Sequence, residues 1–162
     1  MGGSVAIELA SRRPDLVAQL VLAEANLDAG GGAFRSYIAN QTETDFVNSG
    51  YQELIQNLYR DGVGGNSSAA IAGGMWQVAA PHAFHRSALS LVRGTLPMRR
   101  DQLLQISIPR VYGFGDQSLP NDDYERLPSQ GIEEAVVSDA GHGMIWDNPT
   151  GFAEVLRSVL IE

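Results

Sequence analysis

The chain has no cysteine and no lysine. Without thiols it can build neither a disulfide framework nor a thiolate metal site, and this composition is compatible with the cytoplasm, where we expect it. Positive charge comes only from scattered arginines, and the net charge is −8. That balance excludes a sequence-independent nucleic-acid binder, which needs a basic surface to displace phosphate counterions. Arg12-Arg13 and Arg99-Arg100 are the only adjacent pairs, and both read as solvated surface arginines or helix-end charges. No apolar run approaches the roughly 20 residues needed to cross a bilayer, so no membrane partner is expected. Met1 to Ala10 has neither the basic start nor the cleavage site of a signal peptide. Long internal repeats and low-complexity tracts are also lacking.

What is present alternates between strand-like and helix-like texture. Val5, Leu9 and Arg12-Arg13 fall in helical register, and Pro14 predicts the helix to end near Arg13. Leu16 to Leu22 is a short apolar run, too short for a convincing helix and typical of a buried parallel strand. Gly30-Gly31-Gly32 marks a loop. Helical segments are then predicted at Phe34–Asn48, Tyr51–Arg60, Ser67–Ala79 and His82–Arg93, with Tyr51, Leu54, Ile55 and Leu58 forming an apolar stripe. Ile106 to Asp116 reads as a strand ending in a Gly-rich bend, Asn121 to Leu127 as a short helix, and Ile132 to Val137 as another strand. Asn148 and Pro149 suit the cap and first position of a last helix whose apolar face is Phe152, Val155, Leu156 and Val159.

The order strand, helical insertion, strand, helix, strand, loop, helix implies an α/β fold: a parallel sheet covered by helices. Residues 1–27 and 98–162 form its core, and residues 28–97, too long for a plain loop, read as a helical cap or lid. Three parallel strands make a poor independent domain, because the first presents an unpaired edge. Further strands are therefore expected ahead of it.

Two motifs carry chemistry. Met1-Gly2-Gly3-Ser4, running into an amphipathic helix, resembles the segment that follows the nucleophile in the α/β-hydrolase superfamily. Ala140-Gly141-His142-Gly143-Met144, followed by Asp147-Asn148-Pro149 and a terminal helix, resembles the histidine loop of the same superfamily. The resemblance covers essentially the whole chain but only the second part of that fold. It implies that Met1-Gly2 are the last two residues of a Gly-x-Ser-x-Gly elbow, with the nucleophile one position before Met1 and the backbone N–H of Met1 in the oxyanion hole. A Ser is expected there, since relatives using Asp often follow it with Trp. Ser4 does not substitute, because it falls a turn into the helix.

His142 is then the general base. Its orienting acid has two candidates. Many members carry the acid in a Gly-x-x-Asp pattern, but here the pattern reads Gly115-Asp116-Gln117-Ser118, with Ser118 at the acid's place and Asp116 two residues early. Others place the acid at the end of the strand after the elbow helix, where Glu24 stands. Glu24 is favoured over Asp116, while Asp28 and Asp139 read more simply as turn residues. His82 and His85 lack a third ligand, so no metal site is expected. Trp76, Phe84, Met75, Met98 and Trp146 read as packing residues. The resemblance implies cofactor-free hydrolysis of a small ester, amide or similar bond once the upstream part is supplied. As a fragment, the chain is expected to self-associate through its exposed sheet edge.

Overall fold

The computed structural model describes residues 1–30 and 32–160. α1 spans Gly2–Arg12. It ends at Arg13, whose backbone leaves helical geometry directly before Pro14. The strand that follows is shorter than its apolar run suggests. Pro14–Leu16 forms one 3₁₀ turn, and β1 is confined to Leu20–Ala23. The fixed backbone angle of Pro14 favours a tight turn, and this leaves Leu16 on the surface instead of in the sheet.

After the helical insertion the chain makes α7 (Arg99–Gln105), β2 (Arg110–Gly115), α8 (Asp122–Ser129), β3 (Glu133–Val137), a short α9 (Met144–Asp147) and α10 (Pro149–Leu160). The three strands form one parallel sheet in the order β1-β2-β3. Leu22 is level with Tyr112, and Gly115 with Val137. β2 is central, and its near-continuous apolar and glycine content suits a strand covered on both faces. Because strand side chains alternate, Tyr112 and Phe114 point to one face together with Leu20 and Leu22. There they pack against Ile7, Ala10, Leu103, Leu127 and Ile132. Val137 belongs to the opposite face and packs with Ala140, Met144, Phe152 and Val155. α10 is capped as its sequence predicts: the Asn148 side chain accepts from Gly151 N–H at 2.9 Å.

Of the two alternatives for Arg99-Arg100, the structure shows helix-end charges and not solvated arginines. Both lie in the first turn of α7, a helix not expected from the sequence. Arg100 is buried and pairs with Asp123 at 2.8 Å, and Arg99 pairs with Glu8 of α1. The apolar residues Leu103, Leu104 and Ile106 just beyond them were the missed signal, since that spacing draws the segment onto the core. The hydrogen bonds from Arg99 and then Gln102 outweigh burial, and together with Arg12 they hold the Glu8 carboxyl down at about 2. A carboxyl lowered on folding stabilises fully above its ordinary value, and that contribution fades as pH falls through the folded value. The urea-unfolding midpoint of the wild type should therefore exceed that of Glu8→Gln at neutral pH. The gap should close between about 4.5 and about 2. A gap independent of pH would show that the ionised form of Glu8 is not what matters.

Residues Asp28–Leu96 form a second compact unit, while Met1–Leu27 and Pro97–Glu162 form the first. The second unit contains α2 (Gly32–Ala39), α3 (Glu43–Asp45), α4 (Tyr51–Val63), α5 (Ser67–Trp76) and α6 (Pro81–Arg93). The single helix expected over Phe34–Asn48 is broken. Thr42 caps a new start by accepting from Asp45 N–H at 3.1 Å, and Phe46–Gly50 continues as a π-helical turn into α4. Ile38, Phe46, Leu54 and Ala88 are its buried centre, with Tyr51 and Leu58 packed against them.

Candidate functional site

In parallel sheets, chemistry gathers at the carboxyl ends of the strands, where the chain leaves for its helices and loops. β1 and β2 both end at such a point. The N–H of Glu24 still donates to Gly113 at 3.0 Å, extending the ladder by one residue. The backbone then turns sharply, with Glu24 at a φ of 42°. A non-glycine residue in this left-handed region costs roughly 1–3 kcal/mol, and such strain persists only where the surroundings fix it.

They do so through the side chain. Glu24 Oε1 accepts from Gly115 N–H at 2.9 Å, and Oε2 lies 3.1 Å from His142 Nδ1. The hydroxyl of Ser118 also bonds the carboxylate. Burial by itself would raise the Glu24 carboxyl. The His142 contact, the Gly115 amide and Ser118 outweigh it, so the group sits below its ordinary range and is ionised at neutral pH. An ionised carboxylate can only accept, so His142 Nδ1 must be the donor, and in the neutral imidazole this tautomer leaves the lone pair on Nε2. The Glu24 side chain is 11% exposed and that of His142 80%, so the anchor is shielded and the imidazole is presented outward.

The loop that carries His142 is held from beneath. Asp116 spends both oxygens on it, accepting from Asp139 N–H at 3.0 Å and Ala140 N–H at 3.1 Å. These amide bonds lower the Asp116 carboxyl, aided by the backbone N–H groups of Gln117 and of Asp116 itself. Asp147 accepts from Gly141 N–H at 3.0 Å. Gly115 lets β2 run directly under the loop. A Cβ there would lie 2.3 Å from the Ala140 carbonyl oxygen, so no larger residue fits without moving the histidine loop.

The start of α1 reaches the same strand ends. A Cβ on Gly3 would fall 2.4 Å from that of Ala25, the residue after Glu24. The first turn of α1 is thus seated against the turn that holds the carboxylate. Ser4 lies within that helix. Ser118 was noticed in the sequence only as an absent Asp. Its hydroxyl supports Glu24 instead, which could be suspected only once Glu24 was considered beside it.

No family model matches the chain, and no curated protein matches it by sequence. Solved structures do. An α/β-hydrolase enzyme, MGS-M2, from a Medee basin deep-sea metagenome library superposes with a TM-score of 0.65 at 15% identity. The alignment covers 99% of this chain and 62% of that one. The chain has an α/β-hydrolase-like fold. NosK from Streptomyces actuosus matches with a TM-score of 0.54 at 25% identity, over 98% of this chain and 66% of its own. The thioesterase domain from the curacin biosynthetic pathway matches with a TM-score of 0.58 at 19% identity, over 95% and 62% respectively. The chain therefore spans less than two thirds of the length of these hydrolase-fold structures.

The remaining singled-out residues are dispersed. His85 is buried, its Nε2 bonded to the Gln41 carbonyl at 2.8 Å. His82 is exposed on the same helix. Among the described residues no three His, Cys, Asp or Glu side chains converge on a metal position. Trp76 and Phe84 pack together in the second unit, with ring centroids 5.1 Å apart. Met75, Met98 and Trp146 are exposed, which corrects their reading as packing residues. Met75 faces away from the buried Ala72–Gly73 side of α5, and in α9 the inward position goes to Met144. Among the described residues no helix is long and apolar enough to cross a membrane.

Proposed function

We propose that this chain carries the base and acid of a serine hydrolase acting on a small ester, thioester, amide or similar bond. The observation that carries the reading is the Glu24–His142 pair: an ionised, shielded carboxylate holding an outward-facing imidazole in the tautomer a general base requires. The nucleophile belongs one residue before Met1. The seating of Gly3 against Ala25 supports this, because it sets the start of α1 beside the carboxylate turn. In this reading residues 28–97 form a helical cap.

The chemistry then follows from the parts. The serine Oγ adds to the acyl carbon while His142 Nε2 takes the hydroxyl proton. The imidazolium is stabilised by Glu24, and the oxyanion accepts from the peptide N–H of Met1 and from a second donor contributed upstream. Collapse breaks the bond to the leaving group, which departs with the proton from Nε2. Water repeats the sequence on the acyl-enzyme and releases the acid. No metal or redox cofactor is called for by these steps.

A fluorophosphonate probe on the protein purified from its source tests the assignment. The labelled peptide should read Gly-x-Ser followed by Met1-Gly2-Gly3. An unlabelled protein, or an Asp at that position, would overturn the serine.

A second reading is favoured by one feature of the first unit. Among the described residues β1 pairs only with β2, and Val5, Leu9 and Leu16 are 63%, 46% and 62% exposed. An open edge beside apolar surface favours association. As a separate 162-residue chain the protein should self-associate rather than turn over substrate. A clean monomer by light scattering would count against this.

A further inference from the structure

The helical second unit holds a half-buried cation with no oxygen partner among the described residues, its N–H groups open to water. Arg35, on α2, lies over three aromatic rings, its Cζ 5.4 Å from the centroid of Phe34, 5.8 Å from Trp76 and 5.0 Å from Phe84. The rings form a connected cluster, with Phe34 and Trp76 at 5.3 Å and Trp76 and Phe84 at 5.1 Å. Ring faces attract a cation, but they accept none of its five N–H groups in the way an oxygen does.

The other arginines show how unusual this is. Arg12, Arg13, Arg86, Arg99 and Arg100 have carboxylates, Arg60 has Asn57, and Arg110 has the Ile106 carbonyl. Arg93, Arg126 and Arg157 are exposed, where water serves. Among the described residues, Arg35 is thus the one half-buried arginine with no oxygen partner. Burial lowers its pKa, and no charge of opposite sign offsets that. It also stands near the start of α2, where the helix dipole is already positive and the first turn holds no acidic residue.

We propose that Arg35, Phe34, Trp76 and Phe84 form a recognition site for a small organic acid, a carboxylate carried on an apolar body. The two carboxylate oxygens match the guanidinium fork, and the body lies against the rings. The charge is offset by Arg35 and by the start of α2, so a neutral analogue of the same shape loses most of the affinity. The site belongs to the second unit alone and is independent of the hydrolytic assignment.

Trp76 is its own reporter once Trp146 is replaced, since the chain has only two tryptophans. In a Trp146→Phe background, benzoate should change the emission of Trp76 saturably. Benzamide, of equal shape without charge, should bind at least about tenfold more weakly. Sulfate, which has charge but no apolar body, should also bind more weakly than benzoate. Arg35→Gln should abolish the benzoate response. Arg35→Lys, which keeps the charge and guards against a folding failure of the first variant, should weaken it several-fold by losing the planar fork. Equal binding of benzoate and benzamide would overturn the proposal, as would a full response in either arginine variant or no saturable response at all. Sulfate binding as tightly as benzoate would remove the apolar body from it.

Discussion

Replacing His142 by Ala, in a chain carrying the upstream serine, should lower kcat by about 10⁶-fold, the scale on which loss of a general base abolishes a serine hydrolase. That is about 8 kcal/mol of transition-state stabilisation. The fold should not notice. The His142 side chain is 80% exposed and bonds Glu24, which keeps the Gly115 amide and the Ser118 hydroxyl without it. Exposed substitutions of this kind move stability by about 0.5 kcal/mol or less. Steady-state hydrolysis of a p-nitrophenyl ester, paired with a thermal melt, separates the two effects. Activity within tenfold of wild type would remove His142 from the mechanism, and a large drop in melting temperature would make it a structural residue. With the nucleophile placed before Met1, as proposed, the 162-residue chain alone should hydrolyse the same ester no faster than the His142→Ala variant of itself.

Much of the fold is legible because it depends on neighbours in sequence. The strand expected over Ile106–Asp116 forms at Arg110–Gly115, Tyr51, Leu54 and Leu58 of the expected stripe pack together without Ile55, and α10 starts at Asn148-Pro149 as expected. What escaped is tertiary. α7 carries two adjacent arginines that look like surface residues, and only the carboxylates of Glu8 and Asp123 make their burial tolerable. The break before Phe46 is local in cause, yet Thr42 is one of several residues able to cap. β1 is shortened by a turn that competes with it over Pro14–Leu16. At the site, His142 is marked by its glycine-flanked loop. Its contact with Glu24 joins residues 118 apart in sequence, a distance no periodicity reports. Ser118, which the sequence marks only as the place of an absent Asp, bonds the Glu24 carboxylate instead.

The choice between the two acids is open to a direct comparison. Glu24→Gln should lower kcat by about 10⁴-fold, the scale seen when an orienting carboxylate becomes an amide. The geometry says why an isosteric change is so costly. The two oxygens of Glu24 have separate donors, Gly115 N–H on one and His142 Nδ1–H on the other. Gln has one oxygen and one NH₂. If the oxygen stays on Gly115, the NH₂ faces His142 and forces the proton onto Nε2, where it blocks general-base action. If it turns to His142, the NH₂ opposes the Gly115 amide and a buried donor is left unmatched, at about 1–3 kcal/mol. Asp116→Asn should do the reverse. It takes one acceptor from the pair of amides at Asp139 and Ala140, so the urea midpoint falls while kcat stays within about tenfold. Both carboxyls lie below their ordinary values, so each contributes stability that is complete above its ordinary value and is lost as pH falls through the folded one. Each substitution should therefore erase its own share of the acid limb of the stability profile, and Glu24→Gln alone should lower kcat as well. A kcat that survives Glu24→Gln and collapses in Asp116→Asn would move the acid to Asp116, and the strained backbone at Glu24 would then serve only to join β1 to Gly115.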